Sequence, residues 1–298
     1  MSTQLALPDA STRIVLLLGS PVEHSLSPCL HNTAFAAHEI NAVYAATEVD
    51  RPDLADAIRG MRALRILGAN VTIPHKERVV PLLDSLSTRA KALGAVNTIV
   101  VRSGEDGTRT LHGDNTDIAG FLEPLHRRTG LHGQPMTILG AGGAARAAAY
   151  ALLTTYAPQP LTVAARRPDQ AQALVDALHP HALPNASATA CALDDAHAAV
   201  RSSRLVVNAT PVGMAPHDES TPWPHPDCFS SGQLVYDLVY TPRPTRLLRE
   251  ARAQGADTQD GLAMLIGQAA AAYEMWTDRA MPTDVVRQEV TSHLPTTA

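Results

Sequence analysis

The chain has 298 residues, of which 45% are hydrophobic, 18% charged and 4% aromatic, with a formal net charge of -5. That length holds two domains of ordinary size, and the balance of apolar to charged residues is that of a folded chain. No run of Lys or Arg offers nucleic acid a basic face, which argues against a DNA or RNA role. Cys29, Cys191 and Cys228 lack the spacing of a zinc site or a disulfide framework, so no metal is expected. Neither a signal peptide nor the ~18 apolar residues of a membrane helix is found, and a cytoplasmic location is the default expectation.

IVLLLG, Ile14 to Gly19, is an apolar run closed by glycine, the pattern of a buried parallel strand. Ser27-Pro28 opens a helix through Leu30, Ala34 and Ala37. Val43 to Val49 alternates as a strand, Pro52 to Leu67 reads as a helix, and Gly68 to Ile73 as the next strand. Pro74 then starts a helix carrying Lys76; Leu82 to Leu93 reads as helix and Ala95 to Val101 as strand. The turn chemistry of SGEDGTR, Ser103 to Arg109, predicts a hairpin. Asn115 is placed as the cap of a helix running to Thr129.

The pattern then restarts. MTILGAGGAARAAAYALL is strand, glycine turn and helix; LTVAARRP is strand and turn; LVVNATP and LVYDLVY are further strands with helices between. His179 to Asp195 has too little periodicity to place. Strand-helix alternation implies right-handed crossovers and mostly parallel sheets, and the restart implies two α/β domains joined near Thr116 to Leu131.

ILGAGGAA fits G-x-G-x-x-A through Gly140, Gly142 and Ala145. In a strand-turn-helix frame this lets a pyrophosphate sit on a helix N-terminus, where unpaired N–H groups and the dipole favour anions. The following strand ends in Arg166-Arg167, where an NAD site usually carries an acid. A guanidinium suits a 2′-phosphate, so NADP is the expected cofactor.

Polar residues gather at strand ends in the first half: Ser25 and Ser27 in GSPVEHSLSP, Asn70, Thr72 and Lys76 in GANVTIPHK, Asn97 in GAVNT, and Asp117 in GDNTD. Hydroxyls, amides, one ammonium and one carboxylate suit a small, multiply hydroxylated anion. With HSLSPCLHN, NATPVGM, DLVYTPRPTRLL and DGLAMLIGQA, these blocks resemble in order, over nearly the whole chain, the shikimate/quinate dehydrogenase family.

The resemblance implies NADP-dependent, reversible reduction of 3-dehydroshikimate to shikimate in aromatic amino-acid synthesis, with Lys76 and Asp117 as the catalytic pair. It implies a substrate pocket of Ser25, Ser27, Asn70, Thr72, Asn97, Tyr240 and Gln268. It also implies a cofactor site of Gly140, Ala141, Gly142, Gly143, Ala144, Ala165, Arg166, Arg167, Thr210, Leu238 and Gly261. The implied fold is an α/β substrate domain, 1–117 with 261–298, discontinuous around a Rossmann domain at 118–260. Shikimate and NADP are the implied partners; monomer and homodimer both fit.

Two departures matter. Members commonly read Asn-Arg-Thr at the cofactor selector, with another Arg shortly after; here Ala165-Arg166-Arg167 is followed by Gln170. One phosphate ligand is lost and Arg167 stands ready to replace it. Members acting well on quinate often carry Thr at the position of Ser27, so serine favours shikimate. The rivals are a quinate/shikimate enzyme using NAD or NADP, and a catalytically silent NADP-binding regulator.

Overall fold

The computed structural model describes residues 7–294. The chain forms two compact units: one from the segment up to Thr116 with Ile266–His293, the other from Asp117–Leu265. Asp117 thus opens the second unit, and the return to the first comes at Ile266 rather than 261.

The first unit holds β1 (Arg13–Gly19), α1 (Ser27–Ala37), β2 (Ala42–Glu48), α2 (Leu54–Ala63), β3 (Gly68–Val71), β4 (Ser85–Leu86), α3 (Thr88–Leu93), β5 (Thr98–Ser103) and β6 (Arg109–Asp114). Its sheet has the order β2-β1-β3-β5-β6-β4, and β5 runs antiparallel to both neighbours. Strand order reverses between β1 and β3, so the loops after these two strands diverge and leave a crevice at their carboxyl ends. The expected hairpin joins β5 to β6, with Ser103 opposite Arg109.

The second unit holds α4 (Asp117–Leu122), β7 (Met136–Leu139), α5 (Gly143–Thr155), β8 (Leu161–Ala165), α6 (Pro168–Leu178), β9 (Ala188–Ala192), α7 (His197–Ser202), β10 (Leu205–Asn208), β11 (Leu234–Asp237), α8 (Arg246–Ala253) and β12 (Asp257–Gln259). Its six strands are all parallel, in the order β12-β11-β10-β7-β8-β9. This is the doubly wound dinucleotide-binding order, with its switch point between β7 and β10. Every residue of β7, β8, β10 and β11 is buried, which is why they read as unbroken apolar runs.

The chain closes with α9 (Leu262–Thr277) and α10 (Thr283–His293). In the first unit, Trp276 of α9 donates from its indole to the Ile99 carbonyl, 3.0 Å, and covers Gly68, where any side chain would strike the ring. Tyr273 lies 2.8 Å from His38 and donates to the Ala34 carbonyl, while α10 packs on α1 through buried Val286 and Val290. Glycine at 68 is thus a packing requirement.

Four helix boundaries differ from expectation. No helix starts at Pro74: the Lys76 carbonyl is turned to the distant Val96 N at 2.8 Å, and the one i+4 bond here, from Val79 N to the His75 carbonyl, is not continued. Residues 74–79 form turns and a single 3₁₀ turn follows at Val80–Leu82. Leu82 to Leu93 is broken by β4, which pairs with β6, and only Thr88–Leu93 is helical, capped by Ser87. The helix expected over Pro52 to Leu67 stops at Ala63, and Arg65 takes φ 57°. Asn115 does not open a helix to Thr129: α4 begins at Asp117 and spans six residues, while the Asn115 amide donates to the Ala95 carbonyl. The unplaced stretch after His179 contains β9, an edge strand with no fully buried residue and hence little apolar pattern.

Candidate active site

In the first unit a buried polar network spans the carboxyl end of the sheet. The Tyr44 hydroxyl, from β2, donates to Asn70 Oδ1 at 2.8 Å. Asn70 Nδ2 donates to the Asn97 carbonyl and to Thr98 Oγ1, each at 3.1 Å. Thr98 in turn donates to Asn97 Oδ1 at 2.9 Å, which also accepts from Thr116 N at 2.7 Å. Both amide hydrogens of Asn70 are therefore committed within the protein, and Asn70 braces Tyr44, Asn97 and Thr98.

His31 lies beneath this network, fully buried and stacked on Tyr44 with ring centroids 4.5 Å apart. Burial pushes its pKa down to about 3, opposed by the neighbouring Asn70 side chain, so the ring is neutral. Burial pushes the Tyr44 phenol above its ordinary range, against the neighbouring Ser27 hydroxyl. Ser27 is the first residue of α1 but makes no capping bond; its N–H donates to Ser25 Oγ at 3.2 Å. Thr72, half-buried after β3, turns its methyl toward Gly19, filling the space a Cβ there would need.

Lys76 lies half-buried in the turn after β3, its backbone locked to Val96. The segment that leads to Asp117 is held just as firmly. Asp114 accepts from Ser87 Oγ and Arg89 Nε, both at 2.6 Å, from Arg89 Nη2 at 2.8 Å, and from Asn115 N at 2.7 Å. Burial raises the Asp114 pKa, but the hydrogen bonds from Arg89 and Ser87 outweigh it and hold the carboxyl below its usual range. Gln268 sits half-buried on α9 in this unit.

In the second unit, Gly140 takes φ 111°, and a Cβ there would meet Thr210 Cγ2 at 2.9 Å. Gly142 and Gly143 face open space, so the first turn of the 13-residue α5 presents bare backbone N–H groups. A pyrophosphate fits such a terminus, which combines unpaired donors with the positive end of the helix dipole. Ala141 is half-buried and Ala144 exposed beside them. Ala165 closes buried β8, and Arg166 and Arg167 follow it, both exposed. Leu238 and Tyr240 lie half-buried after β11, and burial raises the Tyr240 pKa. Gly261 N donates to the Val239 carbonyl at 3.1 Å, and Gly261 packs so closely on Leu238 that no side chain fits. Among the described residues no cluster of His, Cys, Asp or Glu could hold a metal, and no helix is long and apolar enough to cross a membrane.

The chain is 58% identical over 281 residues to the shikimate dehydrogenase (NADP(+)) of Salinibacter ruber, covering 93% of this chain and 96% of that protein. The chain belongs to the shikimate dehydrogenase family. A model of the shikimate dehydrogenase substrate binding domain matches residues 17–99, and one of the shikimate 5′-dehydrogenase C-terminal domain matches 261–291. A crystal structure of a shikimate dehydrogenase in complex with NADP+ superposes with a TM-score of 0.87 at 34% identity, covering 98% of this chain and 99% of that one. The Listeria monocytogenes shikimate 5-dehydrogenase, crystallised with shikimate and NAD, superposes at 0.85 with 34% identity, covering 95% and 98%.

Beyond the residues expected of a shikimate dehydrogenase, the structure adds Tyr44, Thr98 and Thr116 to the first network. It also shows a second buried network in the second unit. Asp237, the last residue of β11, accepts from Asn208 Nδ2 at 2.8 Å, Val239 N at 3.1 Å and Thr245 Oγ1 at 2.6 Å. Burial pushes its pKa up to about 6, against the bonds from Thr245, Val239 and Asn208, while Asp260 adds like-charge repulsion. Asp260 is itself paired with Arg243 at 2.6 Å. The sequence signal for both networks was a polar residue inside or ending an otherwise apolar strand.

Proposed function

We propose that this chain catalyses the reversible, NADP-dependent reduction of 3-dehydroshikimate to shikimate in aromatic amino-acid biosynthesis. The observation that carries this reading is the 58% identity, nearly end to end, with a protein of that named activity. In this reading the first unit binds substrate through Ser25, Ser27, Thr72, Asn97 and Gln268, with Asn70 as brace; Tyr240, which belongs to the second unit, is a further substrate residue that the family resemblance implies. The second unit binds NADP on Gly140, Ala141, Gly142, Gly143 and Ala144, with Ala165, Arg166 and Arg167 at the 2′-phosphate and Thr210, Leu238 and Gly261 along its length.

NADPH held on these residues would supply the hydride that the carbonyl carbon receives. The Lys76 ammonium stabilises the negative charge that gathers on the carbonyl oxygen, an effect that is strong where water is excluded. Lys76 and Asp117 are the acid-base pair that the family resemblance implies for the proton that completes the alcohol, help typically worth about 10²–10⁴-fold. A cytoplasmic location accords with this reading, and sedimentation distinguishes a monomer from a homodimer.

The test is NADPH absorbance when purified protein meets shikimate and NADP, repeated with quinate and with NAD. Absence of turnover at high protein concentration would leave a silent NADP-binding regulator; faster turnover of quinate would reassign the substrate. Lys76→Ala is expected to lose at least ~10²-fold in kcat while NADPH affinity stays within about twofold. A matching loss of NADPH affinity would make Lys76 structural.

A further inference from the structure

The cofactor-facing loops of the second unit converge on a single side chain. Asn208 and Asp237 are opposite each other at the carboxyl ends of β10 and β11. Asn208 Oδ1 accepts from both Thr210 N at 3.0 Å and Thr210 Oγ1 at 2.7 Å, while its Nδ2 is turned to Asp237. Thr210 is the residue against which the Gly140 turn is packed. On the other side, Asp237 Oδ1 holds Val239 N, so it sets the backbone around Leu238, on which Gly261 is seated. Asp237 Oδ2 accepts from Thr245, whose hydroxyl caps α8 by accepting from Leu248 N. One carboxylate, with no exposed surface, thus ties the loop after β10, the loop after β11 and the start of α8.

Simple strand packing would not place a carboxylate here. The carboxylate is fully buried, and Asp260, itself paired with Arg243, adds like-charge repulsion to it. A cap for α8 or a neutral hydrogen-bond acceptor would not need the charge. An acceptor with two oxygens is what allows three segments to be held at once.

We propose that Asp237 is a positioning residue for cofactor binding: acting through Asn208, Val239 and Thr245, it fixes the Thr210 and Leu238 loops in the shape that receives the dinucleotide. The inference rests on the reading of the second unit as the NADP site. Asp237 itself touches no substrate or cofactor atom in this account. Its effect is on cofactor KM and not on the chemistry of the first unit.

The experiment compares KM values for NADP and shikimate, and NADPH dissociation constants, in the full-length chain. Asp237→Ala, checked as folded by circular dichroism, is expected to raise the NADP KM and the NADPH Kd at least 10-fold, with the shikimate KM within twofold. Asp237→Asn keeps an acceptor toward Asn208 and Val239 but not toward Thr245, and is expected to fall between the parent and the alanine variant in both. Should the alanine variant not fold, Thr245→Val, which removes the Oδ2 partner together with the side-chain cap of α8 and leaves the Asn208 and Val239 bonds in place, is expected to raise the NADP KM at least threefold by itself. A folded Asp237→Ala chain, or in its absence a Thr245→Val chain, with parental NADP KM and NADPH Kd overturns the inference while leaving the NADP site intact. A parent chain that shows no saturable NADPH binding overturns the NADP reading itself, and this inference with it.

Discussion

Removing one hydroxyl should expose how the first unit holds its buried amides, Asn70 and Asn97. In Tyr44→Phe the ring stays stacked on His31 and no cavity opens, because only the phenolic oxygen is lost. Asn70 Oδ1, on a residue 5% exposed, then loses its 2.8 Å donor. Leaving a buried acceptor unpaired costs about 1–3 kcal/mol, and with no packing change to offset it the unfolding free energy should fall by that amount. Asn70 would also be free to turn, and with it the amide bonds to Asn97 and Thr98. If about 1–2 kcal/mol of re-ordering is then needed on each binding event, the shikimate KM rises roughly 5–30-fold. The NADP KM should not move, since Tyr44 belongs to the first unit. Urea denaturation and steady-state kinetics on the same preparation give both numbers. A variant with parental stability and parental shikimate KM would refute the view that Tyr44 fixes Asn70.

Gly68→Ala drives a methyl into the Trp276 indole and to 2.6 Å from the Ile99 carbonyl, so overpacking should cost about 1–3 kcal/mol; an unchanged melting temperature would show that α9 can shift freely. Asp237→Asn tests the buried charge by pH. The folded pKa of about 6 lies above the ordinary aspartate value of 3.8, so the neutral acid favours the folded state below about pH 4. That advantage is lost as pH rises through 6. The shift of about 2 units corresponds to on the order of 3 kcal/mol. The variant should therefore gain on the parent by about that much between pH 4 and pH 7.5 in denaturant unfolding, and parallel pH profiles would count against it. Arg166→Ala should lower the ratio of kcat/KM for NADP over NAD by about 10–100-fold, from loss of a hydrogen bond to a charged group; an unchanged ratio shifts the selection to Arg167.

The strands were the easiest part to read from sequence. Buried parallel strands such as MTIL and LVVN carry no solvent face, so they stand out as apolar runs between glycines and turns. The glycine turn at 140–143 and the arginines after β8 were equally legible, because their chemistry is local. The turn at Lys76 was not. Pro74 resembles a helix start, and the pull of the distant Val96 amide on the Lys76 carbonyl leaves no local trace in the sequence. β9 was hidden because an edge strand with partly exposed residues has little apolar contrast. Tyr44 and Asp237 were missed for a related reason: each looks like an ordinary strand residue until partners from other strands and loops are seen around it.

The placement of Trp276 against Gly68 also has a consequence for how the chain matures. The first unit is interrupted by some 150 residues, and the indole that seals its sheet is synthesised only after the whole of the second unit. Until that indole arrives, β3 and β5 lack their cover and the Ile99 carbonyl lacks its donor. The second unit is continuous and can close as soon as its own strands emerge, whereas the first must wait for a contact of very long sequence separation, the kind that closes slowly. During translation, therefore, the unit that is begun before the other is finished after it. A nascent chain stalled before α9 would carry a complete dinucleotide-type sheet beside an open one, a natural target for chaperones and proteases.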